Sequence, residues 1–261
     1  MRNYGYFAEN RAKAAADGIQ IEKVRDPVLA RYTNMKYRSF DLDYPDVDRA
    51  KVFLDDLAGF EKTGTMPQFL ILRLGNDHTS GTTPGKIAPL SASADNDQAV
   101  GMLVEAVSKG RLWNDTAIFV IEDDAQNGPD HVDSHRSTCY VISPWVKRHT
   151  VDSTLYNQAS VLRTMEIILG MHPMTTYDAG ARPMFSVFNN APAAGQYTLE
   201  KAQVPLETRN AAGSPTAMRS LRMDFHEADD INDEDLNGIL WAAIKGPGVP
   251  MPEPVRSRFA R

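Results

Sequence analysis

Two rhythms of hydrophobic positions alternate along the chain. Between residues 44 and 64, Val47, Ala50, Phe53, Leu54, Leu57 and Phe60 recur at helical spacing. They predict a helix that begins near Pro45 and Asp46 and stops at Gly64. The next run, "QFLILRL" at 68–74, is apolar without alternation, as in a strand covered on both faces. After a loop rich in Gly, Thr and Pro, "DNDQAVGMLVEAVSKG" predicts a helix over 95–109 ending at Gly110. Two further strands follow, "TAIFVIED" at 116–122 and "STCYVISP", then an apolar helix, "NQASVLRTMEIILG". The first forty residues are less patterned: "RNYGYF" fits a short strand, with a helix or loop after it. Residues 183–222 are rich in Ala, Pro, Asn and Thr and read as irregular, and "INDEDLNGILWAAIKG" as a short terminal helix. No internal repeat is visible.

The order strand 68–74, helix 95–109, strand 116–122 is a βαβ unit with an expected right-handed crossover. Fully apolar strands with helices between them predict an α/β fold, a mostly parallel sheet with helices on both faces. Such sheets bind ligands beyond the carboxyl ends of their strands. The polar clusters fall there: "NDHTSG" after the first strand and "EDDAQNGPDHVDSH" after the second.

Composition narrows the function classes. At 261 residues, 42% hydrophobic and 24% charged, the chain can bury a core. A net charge of −6 excludes the basic footprint of nucleic-acid binding. No run approaches the roughly 18 apolar residues of a membrane span, and the N-terminus lacks the apolar stretch of a signal peptide. The expectation is a cytoplasmic chain. The single cysteine, Cys139, lies in the apolar run "CYVIS" and reads as a small core residue.

The strand-end clusters carry the candidate chemistry. Asp77, Asp123 and Asp124 would repel one another at a half-desolvated rim. At about 4 Å and an effective dielectric of about 20, two like charges cost on the order of 4 kcal/mol. A divalent cation would offset that repulsion, and carboxylates mixed with imidazoles suit zinc, manganese or iron. His78, His131 and His135 supply the nitrogens. His149, His172 and His226 have no acidic strand-end context and read as structural. The competing reading makes the acid-rich loop a solvated turn of a metal-independent interaction protein. An EF-hand starting at Asp123 fails at Ala125 and Ser134. A phosphate-cradling loop in "GTTPGKI" fails on glycine spacing and at Ile87. There is no G-x-S-x-G elbow, and adjacent acids on one strand end cannot flank a glycosidic bond.

Several long stretches in order are similar to one family. "LGNDHTSGTTPG", "DNDQAVGMLVEAVSKGRLWNDTAIFVIEDDAQNGPDHVDSHRST", "VISPWVKR" and "VLRTMEIILGMHPM" resemble the acid phosphatase/phospholipase C-type phosphoesterases of the alkaline phosphatase superfamily. The resemblance runs from about Arg38 to Asn189, and more weakly through "DLNGILWAAIKGPGVPMPEPV". It implies a metal-dependent phosphoester hydrolase acting on a phosphoester small molecule or a phospholipid. It also implies that Asp77, His78, Asp123, Asp124 and His135 bind a divalent metal, with zinc, manganese, iron and calcium all open. His131 matches a histidine lining the site, Asn127 and Arg136 are candidates for phosphoryl contact, and Glu122 would stand behind the ligands. Family relatives are often periplasmic or secreted.

The departures are as informative. Family members carry a long N-terminal portion with an acid–Asn ligand pair and a Ser or Thr nucleophile, and here few residues precede the first confident strand. "AENR" echoes the acid–Asn pair, but it follows "RNYGYF", which resembles a middle segment, so Glu9 and Asn10 are not counted as ligands. Thr79 and Ser80 are weak nucleophile candidates. The chain is therefore expected to be one partial phosphoesterase domain over 1–261, resembling the C-terminal half of its family and inactive alone. An open strand edge would favour an oligomer or a complementing N-terminal half. The alternative is a non-catalytic metal- or phosphate-binding module of the same fold.

Overall fold

The computed structural model describes residues 1–123, 128, 133, 135–226 and 230–255. The chain opens with strand β1 (Arg2–Tyr4), then β2 (Ala8–Asn10) and β3 (Ile21–Val24), and a short turn of helix α1 (Pro27–Ala30) capped by Asp26. Helix α2 (Asp46–Thr63) starts where the sequence predicts and ends on Gly64, whose φ of 72° is the left-handed cap that a glycine adopts without strain. Strand β4 (Leu70–Leu72) is shorter than its apolar run. Helix α3 (Pro89–Lys109) begins well before the predicted start at 95, with proline in its first turn. Then come β5 (Ile118–Ile121), β6 (Cys139–Ile142) and α4 (Gln158–Ile168), which Asn157 and Ser160 cap reciprocally. The rest is short α5 (Thr176–Gly180), α6 (Ala217–Ser220) and the terminal helix α7 (Asp233–Lys245). The stretch 183–222 holds, besides α6, one turn of 3-10 helix at Phe185–Val187.

The protein is mixed α/β, with narrower sheets than expected. Among the described residues β1 pairs with β4 in parallel, while β2–β3 and β5–β6 are antiparallel pairs. The predicted βαβ unit exists as an order of elements, but β4 and β5 share no ladder. A parallel step from β5 to β6 would need a crossover of a dozen residues or more. Instead, Ile118 faces Ile142 and Ile121 faces Cys139 across an antiparallel pair.

Helices α2 and α3 pack on one face of these strands. Tyr4, Tyr37, Phe53, Leu57, Val107 and Trp113 form the core, with Leu70, Leu72, Ile118 and Ile142 against it. The Tyr4 ring meets Tyr37 and Phe53 edge-on at 5.4 and 5.5 Å, and its hydroxyl donates to Asp56 at 2.7 Å. Cys139 is exposed, contrary to its reading as a core residue. It lies at the start of β6, whose first two residues reach solvent and whose last two are half-buried.

Candidate functional site

A buried polar network fixes the base of the site. Asp46, in the first turn of α2, is fully buried and pairs with Arg49, itself 1% exposed, at 2.6 Å. Its carboxylate also accepts the backbone N–H groups of Gly75 and Asn76, at 3.2 and 2.9 Å. Arg49 donates to the carbonyls of Arg38, Ser39, Asp41 and Tyr44, so the buried guanidinium is well satisfied. From α3, Asp95 accepts the Asp46 N–H at 2.6 Å and the Asn76 amide at 2.7 Å. Burial pushes the Asp95 carboxyl above its ordinary pKa, and the bonds from Asp46 and Asn76 pull it back in part. The turn after β4 is thereby clamped between the start of α2 and the second turn of α3.

That clamp presents Asp77. Asn96 of α3 donates to Asp46 at 3.1 Å and to Asp77 at 3.2 Å, tying the site acid to the network. The Asp77 carboxyl is raised above its ordinary pKa, first by burial and further by the negative charges of Asp46 and Asp123. A side-chain hydrogen bond with Glu122 works against that rise; two carboxyls can share such a bond only with a proton between them. The strand ends of β4 and β5 are therefore linked through Asp77 and Glu122, and the negative charge of Asp123 acts on Asp77. Glu122, which the sequence suggests as a residue behind the ligands, contacts Asp77 directly.

His78 sits edge-on between Phe40 and Phe225, with centroids 5.5 and 6.5 Å away, and its Nδ1 lies 3.2 Å from the Thr79 carbonyl oxygen. His135 is exposed and its Nδ1 lies 3.0 Å from Asp133. Arg136 is exposed, and its backbone N–H donates to the Asp133 carbonyl at 3.1 Å. Asp124, Asn127 and His131 lie outside the described residues. Among the described residues no three His, Cys, Asp or Glu side chains are grouped closely enough to hold a metal ion.

The two hydroxyl candidates are poorly placed for attack. Thr79 is 3% and Ser80 7% exposed, and the Thr79 hydroxyl accepts the Gly81 N–H at 3.0 Å. Thr79 also has φ +62°, a strained region for a β-branched residue. Glu9 bonds Arg25 at 3.2 Å, and Asn10 bonds Phe40 and Ser39 backbone, so both serve the N-terminal fold. The helix α4 joins the site through Gln158, which donates to the Asp123 carbonyl.

Sequence reasoning missed Asp46, Arg49, Asn76, Asp95 and Asn96. The sequence pattern starts the helix at 95, which places Asp95 and Asn96 at its end rather than within it. The proline at 89 was the available signal, since it favours the first turn of a helix. With α3 beginning there, both residues stand a turn inside, facing α2 and the strand end.

Fold and site together define an α/β protein with an acidic centre at its strand ends. Residues 88–172, from α3 through β5 and β6 to α4, match the model of the Phosphoesterase family, the same family that the sequence motifs resemble. No curated protein matches the chain.

Proposed function

We propose that the chain is the metal-binding part of a metal-dependent phosphoester hydrolase of the alkaline phosphatase superfamily, phosphatase or phospholipase C-like. One observation carries this reading. The segment that matches the Phosphoesterase family contributes Glu122, which hydrogen-bonds the half-buried Asp77 after β4, and Asp123, whose negative charge acts on that carboxyl. Negative charge gathered around a half-desolvated carboxyl suits a divalent cation. Asp77, His78, Asp123, Asp124 and His135 would hold it, as carboxylate and imidazole donors compatible with zinc, manganese, iron or calcium. When bound, the ion would supply charge neutralisation for the ester oxygens. Asn127, His131 and Arg136 would orient the phosphoryl group of a small phosphoester or a phospholipid. The superfamily's wide parallel sheet belongs to this same proposal.

A second reading, a non-catalytic metal- or phosphate-binding module, is favoured by the burial of Thr79 and Ser80. Both hydroxyls would have to leave their pockets to attack phosphorus. On either reading a complementing segment or an oligomer would complete the site.

Two assays separate the readings. Calorimetric titration with zinc, manganese or calcium should show binding that Asp123→Asn abolishes; unchanged binding would overturn both. Hydrolysis of p-nitrophenyl phosphate and bis-p-nitrophenyl phosphate is then compared with an EDTA blank. Metal-dependent turnover supports the hydrolase, and binding without turnover supports the module. Among the described residues no helix is long and apolar enough to cross a membrane.

A further inference from the structure

Arg73 interrupts the apolar run that makes β4, and its backbone is fixed on both sides. Its N–H donates to the Tyr4 carbonyl at 3.0 Å, continuing the β1–β4 ladder past its last pair. Its carbonyl accepts the Tyr37 hydroxyl at 2.6 Å. Leu70 and Leu72 pack on the core with α2 and α3, so alternation turns the Arg73 side chain to the other face of the strand pair. There its guanidinium lies over the Phe40 ring, 4.8 Å from the centroid.

This guanidinium is half-buried and unanswered. Arg2, Arg38 and Arg163 are also half-buried, and each pairs with a carboxylate: Asp56, Asp41 and Glu166. Among the described residues, the Arg73 side chain has neither a hydrogen-bond acceptor nor an ion-pair partner. A guanidinium stacked by its face keeps its edge, a planar fork of N–H donors, for an acceptor. Tyr6, just past the end of β1, is half-buried too, and its backbone is held at both N–H and C=O by the Asn3 amide. Among the described residues its hydroxyl has no hydrogen-bond partner either. Burial pushes that hydroxyl above its ordinary pKa; the positive charge of Arg73 opposes the rise and the negative charge of Asp123 adds to it. Two open donors thus stand at the carboxyl ends of neighbouring parallel strands, where such sheets receive ligands.

Phe40 ties this pair to the acidic centre. Its ring meets His78 edge-on at 5.5 Å, and it packs on the turn that carries Asp77, since a Cβ at Gly75 would come within 3.2 Å of it. We infer that Arg73, assisted by the Tyr6 hydroxyl, is an oxyanion-binding group of this site and takes two oxygens of a phosphoryl group in the fork of its guanidinium. The inference deepens the phosphoester reading and rests on it for the identity of the anion. Acidic side chains repel a phosphate, so a site built on them needs fixed positive charge from the protein as well as from an ion. A planar fork meets two oxygens at once, which a lysine point charge cannot do. Any phosphoryl group with two free oxygens fits, whether it belongs to a small ester or to a lipid headgroup.

Inorganic phosphate titrated into the full chain tests this, first with EDTA and again after loading with zinc and removing the excess. The Arg73 Nε–H and Tyr6 ring resonances, followed by NMR, should move together along one saturating curve. Arg73→Gln should weaken phosphate binding, read by calorimetry, at least about tenfold. Arg73→Lys should leave most of that loss in place, and Tyr6→Phe should cost less than either. No movement of Arg73 at millimolar phosphate in either state would overturn the inference, as would unchanged affinity in a folded Arg73→Gln chain. The resonance is read in the unaltered chain, so the test holds even where a variant fails to fold. Glycerol phosphate and vesicles containing phosphatidic acid then compete for Arg73: competition by either names the source of the phosphoryl group, and competition by neither overturns the inference. Movement in EDTA from a chain that binds no metal would keep the anion site and sink the metal-dependent hydrolase. Metal-dependent turnover with an unmoved Arg73 would do the reverse.

Discussion

Asp46 shows how much a single carboxylate can carry. It closes α2, accepts two N–H groups from the turn after β4, pairs with a buried arginine and receives the Asn96 amide. Asp46→Asn leaves Arg49 buried without its counter-charge, and breaking a buried pair from one side costs about 3–5 kcal/mol. Urea denaturation should show that loss, and a change within 0.5 kcal/mol, the range of an ordinary surface substitution, would refute the account. A second carboxylate is perturbed in the opposite sense from Asp95. Hydrogen bonds from Ser186 and Thr154 hold Asp152 down to about 2. Because this folded-state pKa lies below the ordinary one, its contribution is complete above the usual aspartate range and is lost as pH falls toward 2. In Ser186→Ala the carboxyl midpoint, read by carbon NMR titration, should climb toward the ordinary value. An unmoved midpoint would mean that Ser186 is not the cause.

At the scale of elements, α2 holds the core and the site in register. Phe53 packs on Tyr4 from β1, and the same helix begins at Asp46. Phe53→Ala should cost about 3–5 kcal/mol in thermal or urea unfolding, as a large cavity in a core does. A much smaller cost would mean that the helix closes over the gap. These elements were legible where periodicity was strong: α2, the terminal helix and the apolar strands lie close to where the hydrophobic pattern puts them. The start of α3 was not, because its first six residues, Pro89 to Ala94, hold a single large apolar side chain, Leu90, and so show no helical repeat. Cys139 was misread for a related reason. A short apolar run does not reveal which end of a strand emerges from the core, and β6 emerges at its first residues.

For the whole molecule, the acids after the apolar strands were legible in the sequence but the network that supports them was not. Asp77 and Asp123 stand out as acids after apolar runs; Asp77 hydrogen-bonds Glu122 and feels the charge of Asp123. The network behind them joins residues far apart in sequence, such as Asp46 with Asp95, and no local spacing encodes such a pairing. The sheet was the least legible feature. Apolar runs identify strands but not their neighbours, so a βαβ order was compatible both with adjacent strands and with the separated pairs observed.

The buried cluster around Arg49 has a consequence for how this sequence can change over generations. Asp46, Arg49, Asn76, Asp95 and Asn96 share hydrogen bonds so closely that replacing one strands its partners. Such positions are strongly non-additive: the penalty of a second substitution depends on the first. Exchanging the whole set for well-packed apolar residues can be nearly neutral, while each single step on the way is costly. Drift at these five positions should therefore proceed by compensating pairs, and a lone replacement should survive only beside a second that removes the orphaned group.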